Sequence, residues 1–585
     1  MRHGFLLKLT TPVMRFLVFL RLFLAAKVIA AIKPAARGAT ETSAMLSTAT
    51  PAAPSPTVSF PPVGTIPRDF SPQGFEELWS LVGPVEPPPF TTTREPQLPI
   101  TVPSPPPALY PTWYAPQPSN IFPNLSLPEG FIFGVATSAY QVEGATKMEG
   151  KGPTIWDWAS RQPGFILDNT TADVTDLQYY LYKEDAARAA AIGITAHSFS
   201  ISWARIYPFG VAGSPLNQQG LDHYSDLIDY HLSVGIEPVV TLFHWDTPLA
   251  LVAYYGGFTS PQIVYDFVNY AITIFQSFNG RIKTWYTFNE PSVICDLITG
   301  FPFNTFIAPG VNSSTGSYQC AFNLLNAHAG AVKAFREMGI SGEISYKNDD
   351  VIGIPWRSNS SEDMAAVERH ASFGLGLFAD PVYTGDWPQI VKDTLPESYL
   401  PRFTDQQMAD LKGSADFFAI DAYSTLYIKA PPDGVTTCQN NMSDPTWPSC
   451  NVVVPYDSKA GWAAGSISDP ATSWLEATPQ LLREYLKQLQ ERWPSNKMVR
   501  LNIPAWIWAD DVLMQYISEF GMDEPFASLR TEMYQILNDV TTTNYYMTYL
   551  GEALLAIHED GIPLMGTFSW SMIDNAEWFH GLEPK

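Results

Sequence analysis

The chain is short of positive charge. Its 585 residues carry 34 Lys and Arg against 58 Asp and Glu, a formal net charge of -24 with a pI near 4.7. Nucleic acids are bound largely through Lys and Arg, so this balance argues against a polyanion partner. It suits a protein working in mildly acidic surroundings. Cysteine is scarce too. Only 4 occur, Cys295, Cys320, Cys438 and Cys450, and no CxxC is among them, which makes a zinc site improbable on ligand grounds. The even count fits two disulfides in a secreted chain, Cys438 with Cys450 closing one irregular loop; four free thiols are the alternative. Residues 1–40 contain no acid at all. Arg2, Lys8 and Arg15 precede the apolar run "FLVFLRLFLAAKVIAAI", so residues 1–35 resemble a signal peptide or signal anchor. Arg21 and Lys27 interrupt that run, which weakens a membrane span. A basic, acid-free mitochondrial presequence is the other reading.

What the chain does have is apolar and aromatic bulk. Hydrophobic residues make up 46% and aromatics 13%, with 17 Trp and 27 Tyr, enough for a sizeable core; flat aromatic faces serve sugar-binding sites and ordinary large cores alike, and composition does not choose between them. Residues 36–66 are rich in Ala, Thr, Ser and Pro and read as a flexible linker. Residues 67–118 read as an extension packing on the main domain, because "FEELWSLVGPV" carries a helical apolar pattern, with Phe75, Leu78, Trp79 and Leu81. Disorder is the alternative there. Five Asn-x-Ser/Thr sequons, at Asn124, Asn169, Asn312, Asn359 and Asn441, favour a secretory route as a set.

From residue 119 short β-rich runs alternate with longer helical stretches. The strand candidates are "FIFGVATSAYQ", "AHSFSISW", "PVVTLFHWD", "TWYTFNEP", "GEISYKN", "DFFAIDAYS", "QYISEFG" and "MGTFSWSMID". Eight strands with helices between them predict an α/β fold of the (β/α)8 TIM-barrel kind over residues 119–585. In that fold the active site lies at the C-terminal ends of the strands. Polar residues gather at those ends: Gln141, His244, Asn289, Glu290, Tyr423 and Glu519, with Trp570 beside them. Glu290 closes the fourth candidate and Glu519 the seventh. Two carboxyl groups across a barrel mouth are what glycoside hydrolysis needs, one protonated to donate to the leaving oxygen and one ionised to attack or to activate water. Among the acids near the seventh strand, Glu519 alone follows an extended run; Asp510 and Asp511 precede it, while Asp523 and Glu524 fall in the next loop. Gly521 is expected to let the chain turn there.

The motifs resemble glycoside hydrolase family 1, of β-glucosidase type, over about the last 465 residues. "TFNEP" resembles its acid/base motif, "YISEFG" its nucleophile motif, "FIFGVATSAYQVEG" its N-terminal signature and "GTFSWSMIDNAEW" its penultimate segment. The resemblance implies retaining hydrolysis of β-D-glucosides, with Glu290 as acid/base and Glu519 as nucleophile. It implies that Asn289 bonds the sugar 2-hydroxyl, that Gln141 and His244 hold hydroxyls across the ring, and that Tyr423 bonds Glu519. Glu577 would bond the 4- and 6-hydroxyls, Trp570 would form an apolar floor, and Trp578 would donate its N–H. No cofactor and no metal are implied. The implied partners are small β-glucosides or oligosaccharides, with no nucleic acid and no membrane partner beyond a possible anchor.

The chain also departs from that pattern. Ser198 stands where family members often carry an Arg that contacts the nucleophile. Asp421 stands for an Asn, and Phe520 for an amide beside Glu519. Loss of a cation near Glu519 would weaken its ionised form. A catalytically weakened or non-catalytic glycan-binding barrel is therefore the competing expectation. A phospho-β-glycosidase fits less well, since Glu577 would repel the phosphate. Residues 499–514, "VRLNIPAWIWADDVLM", read as an extra loop before the seventh strand, and the chain stops at "GLEPK", short of the family's last helix.

Overall fold

The computed structural model describes residues 60–101, 125–299, 313–349, 352–493, 513–530, 532, 536 and 539–582. Residues 1–35, most of the linker, residues 102–118, the sequons at Asn124 and Asn312, and residues 499–512 lie outside the described residues. Eight parallel strands close a barrel: β1 (Ile132–Thr137), β2 (Ala196–Ser200), β3 (Glu237–Thr241), β4 (Thr284–Asn289), β5 (Glu343–Asn348), β6 (Phe418–Asp421), β7 (Gln515–Phe520) and β8 (Leu564–Trp570). Each pairs with its neighbours in sequence, and β1 pairs with both β2 and β8, so no edge is left open. Six of the eight lie within the strand candidates read from the sequence, and β3 and β8 begin one residue before theirs, at Glu237 and Leu564.

Helices return the chain between strands. Outside the barrel, α1 (Pro72–Val82) belongs to the N-terminal extension. The returning helices are α2 (Gln178–Ala191), α3 (Gln218–Ser233), α4 (Gln262–Phe278), α5 (Ser313–Glu337), α6 (Ser361–Phe373, with shorter helices after it), α7 (Pro479–Arg492) and α8 (Val540–Glu559). The sequence of α4 shows why it forms: Ile263, Phe267, Tyr270, Ala271, Ile274 and Phe278 recur every three or four residues and are all buried. No helix among the described residues is long and apolar enough to cross a membrane.

The barrel interior is filled, not hollow. Ala136, Ala196 and Val239 supply small side chains on β1 to β3, and Tyr286, Tyr516 and Phe568 supply large ones opposite. Gly134 is needed for this fit, because a Cβ there would stand 2.4 Å from the Phe568 ring.

The extension is anchored. Ser71 caps α1 by accepting from the Gly74 amide, Pro72 sits in its first turn, and Leu78, Trp79 and Val82 are buried. The Trp79 indole donates to the Lys151 carbonyl at 3.2 Å. Phe60, inside the stretch assigned to the linker, is packed: its ring meets Trp158 edge-on at 5.4 Å. Composition reads that stretch as linker because one aromatic among prolines leaves no periodic signal. Both cysteine pairs are disulfides, Cys295–Cys320 and Cys438–Cys450.

Candidate active site

Strand irregularities aim the two acids. Along β7, Tyr516 faces the interior and Ile517 faces the outer helices. Strict alternation would turn Glu519 outward with Ile517. The register with β8 shifts between Ile517 and Phe520, and with β6 between Ile517 and Glu519. That irregularity returns Glu519 to the mouth, while Phe520 packs outward against Tyr545, Tyr546 and Tyr549 of α8. The apolar residue at position 520 is thus a helix contact. A similar shift lies between Tyr286 and Asn289 on β4. Glu290, just past it, adopts φ +41°, a region L side chains avoid, and its amide donates to the Lys347 carbonyl at 3.1 Å. Gly521 does not have positive φ, contrary to the expectation of a sharp glycine turn. Glycine is required because a Cβ would stand 1.9 Å from the Trp570 carbonyl oxygen.

At the mouth, one oxygen from each of Glu290, Asp421 and Glu519 lies within 4.8 Å of the others. All three residues are buried. Tyr423 donates to Glu519 Oε2 at 3.1 Å, and Lys347 Nζ lies 2.6 Å from Glu519 Oε1. Ser518 donates to Asp421 Oδ1 at 2.7 Å. Burial, followed by the charges of Asp421, Asp349 and Glu519, pushes the Glu290 carboxyl well above the usual range. Burial and the charge of Glu519 push Asp421 the same way.

The remaining sequence candidates converge on the same mouth. Gln141, on the short helix Ala139–Val142, donates to Asn575 Oδ1 at 2.8 Å and to Glu577 Oε2 at 3.4 Å, and accepts from Ser138 at 2.6 Å. His244 lies flat near Trp570 and Trp578, with centroids 5.6 and 5.8 Å away. Burial and the neighbouring Lys347 ammonium hold its imidazole well below its usual range, hence neutral. His244 Nδ1 and both amide atoms of Asn289 are buried with no partner among the described residues. Trp578 is itself packed, 4.6 Å from Trp245 and 4.7 Å from Trp156 between ring centres. Burial first, and then the Asp523 charge, pushes Glu577 up to about 8. That shift favours the protonated carboxyl, which can donate as well as accept. The charged groups acting on it among the described residues are acids, Asp523 and Glu519, which does not favour a phosphate there.

Lys347 and the hydroxyl of Ser518 are the residues that motif reading missed. Lys347 is the one Lys or Arg in the eight strands. A lysine inside a buried barrel strand was the available signal. It also overturns the expectation that Ser198 leaves Glu519 without a cation: the charge comes from β5 instead of β2.

A family model described as glycosyl hydrolase family 1 matches residues 124–585. β-Glucosidase 34 of Oryza sativa subsp. japonica is 37% identical over 477 residues, covering 78% of this chain and 86% of the relative. β-Glucosidase 40 of Arabidopsis thaliana is 37% identical over 480 residues, covering 79% and 87%. Among solved structures, β-glucosidase 2 from the fungus Trichoderma reesei, in complex with Tris, superposes with TM-score 0.69 at 32% identity, over 78% of this chain and 92% of that one. A rice β-glucosidase mutant in a covalent complex with Glc gives TM-score 0.69 at 36% identity and the same coverage.

Proposed function

The chain belongs to glycosyl hydrolase family 1, and on that premise we propose that it hydrolyses terminal β-D-glucosidic bonds with retention of configuration, Glu519 serving as nucleophile and Glu290 as acid/base. The observation that carries this reading is the carboxyl spacing, with oxygens within 4.8 Å. Retaining enzymes hold their carboxyl groups about 5–5.5 Å apart, while inverting ones leave about 6.5–9.5 Å for a water.

In the first step Glu519 attacks the anomeric carbon and the bond to the leaving oxygen breaks. Glu290, held protonated by burial and its acidic neighbours, gives that oxygen its proton. The product is an aglycone alcohol and a glucosyl ester on Glu519. In the second step Glu290, now ionised, takes a proton from water, which displaces Glu519 and restores both groups. The unpartnered Asn289 amide and His244 Nδ1 suit sugar hydroxyls, since buried polar atoms left unpaired are costly. Gln141 and Glu577, already hydrogen-bonded to each other, suit hydroxyls on the far side of the ring, and Trp570 offers an apolar face. Substrates are small β-glucosides.

We also propose a secretory route. The two disulfides and the exposed sequons at Asn169, Asn359 and Asn441 support it. A 2-deoxy-2-fluoro glucoside tests the chemistry, because the fluorine slows turnover and lets the ester accumulate. Peptide mapping is expected to find the sugar on Glu519, with no label in Glu519→Gln. A label on Asp523 or Glu524 rejects the assignment, and no hydrolysis by the intact chain rejects the enzyme reading.

A further inference from the structure

Three carboxyl groups and a single ammonium share one buried space at the barrel mouth. The Lys347 and Glu519 side chains are 1% and 4% exposed, and their charged atoms lie 2.6 Å apart. Burying an ammonium is costly unless it is paired, so packing alone does not account for a lysine here. Its ammonium lies over the Tyr286 ring, 5.5 Å from the centroid. Asp421 sits on the adjoining strand. One of its oxygens accepts from Ser518, and its carboxyl also meets that of Glu290. On β2, Ser198 lies two residues beyond the inward-facing Ala196 and so shares its side; its hydroxyl is buried without a partner among the described residues. No cation is offered from β2.

The charges require a balance. If Asp421 and Glu519 were both ionised beside a protonated Glu290, two negative charges would lie within 4.8 Å against the one positive charge of Lys347, and burial with the Glu519 charge already pushes Asp421 toward its protonated form. Without the ammonium, two carboxylates that close cannot both stay ionised in a buried site, and one takes up a proton. Lys347 also has a geometric effect. It holds Oε1 from β5 while Tyr423 holds Oε2 from beyond β6, so the plane of the Glu519 carboxylate is fixed from two sides.

We propose that Lys347 is a positioning residue for the nucleophile and forms a compensating pair with Asp421, the ammonium offsetting the additional carboxylate so that Glu519 stays ionised while Glu290 keeps the proton. This rests on Glu519 being the nucleophile. The groups facing Glu519 are Glu290 and Tyr286 from β4, Lys347 from β5, Asp421 and Tyr423 from β6 and beyond, and Glu577 after β8. Lys347 is the sole cation among them.

The test uses the full chain with Lys347→Met, Lys347→Arg and Lys347→Met combined with Asp421→Asn. Two readouts are taken: the pH profile of kcat/KM on an aryl β-glucoside, and the carbon-13 titration of labelled glutamate carboxyls, the Glu519 signal being the one lost in Glu519→Gln. Lys347→Met is expected to lower kcat/KM about 100-fold, as truncation of one partner of a buried charge pair does. It should also move both the acid limb and the Glu519 titration to higher pH. Adding Asp421→Asn should recover about tenfold or more and move both back, since one carboxylate fewer then competes for the proton. Lys347→Arg should keep the wild-type acid limb. A merely structural lysine would lower activity without moving either readout, and its loss would not be rescued by Asp421→Asn; either result overturns the proposal. If the intact chain neither hydrolyses glucosides nor takes the fluoroglucoside label, the nucleophile assignment fails, and the carboxyl titration still decides whether Lys347 and Asp421 balance each other.

Discussion

Replacing Tyr423 by Phe removes one atom from the site. That oxygen donates to Glu519 Oε2 at 3.1 Å. The ring would stay, because Trp474 packs edge-on against it at 5.6 Å and the hydroxyls of Tyr545 and Tyr549 donate to the Tyr423 backbone carbonyl, which the substitution keeps. The loss is therefore one hydrogen bond to an ionised group, worth about 1.5–3 kcal/mol. At 1.36 kcal/mol per decade this amounts to about a 10- to 150-fold fall in kcat/KM. Lys347 still holds Oε1, so the carboxylate swings about one fixed oxygen and does not collapse. Initial rates on an aryl β-glucoside with wild type and Tyr423→Phe give the ratio, and a thermal melt checks that the fold is unchanged. A fall of less than about threefold, with an unchanged melt, would mean that the bond adds under ~1 kcal/mol and that Lys347 alone orients the nucleophile.

Activity should decline on the alkaline side as Glu290 loses the proton that burial and Asp421 hold on it, and a kcat profile flat through neutral pH refutes its role as acid. Glu577 bears on stability: the folded protein keeps its proton up to about 8 where the unfolded chain loses it near 4.5, so its contribution is fully present below pH 4.5 and is lost as pH rises through 8. Glu577→Gln should flatten the fall in melting temperature over that window, and an equally steep fall in the variant contradicts the assignment. The Cys438–Cys450 bridge spans 12 residues, and replacing both by Ser should cost about 3 kcal/mol, read as a lower denaturation midpoint; an unchanged midpoint would show that the loop is held by its other contacts.

Most of the barrel was legible because its strands are short apolar runs ended by polar residues, and all eight closed in sequence order. The paired acids were legible for the same reason: a charge at the end of a buried strand has few structural excuses. What period-2 reasoning does not supply is orientation. Alternation from Tyr516 sends Glu519 outward, and only the register shift on β7 brings it in, a local irregularity with no residue signature. Lys347 was visible as a letter but not as a partner, since its meaning depends on β5 and β7 lying on either side of β6. Phe520 looked like damage to a motif because the chain neighbour of Glu519 was read as a site residue, whereas the strand turns it toward α8. The packing of Phe60 was hidden because one aromatic makes its contact through tertiary structure, with no local pattern.

The backbone at Glu290 carries a debt that evolution and engineering settle in opposite directions. At φ +41° an L residue sits in a region that costs roughly 1–2 kcal/mol and that glycine enters freely. The same side chain also crowds two other buried acids. Glu290→Gly relieves both, so the disabled protein should tolerate more heat than the working one. A library of this chain ranked by heat resistance alone would therefore enrich variants that have discarded their proton donor, and any stabilisation campaign must select for turnover in the same round.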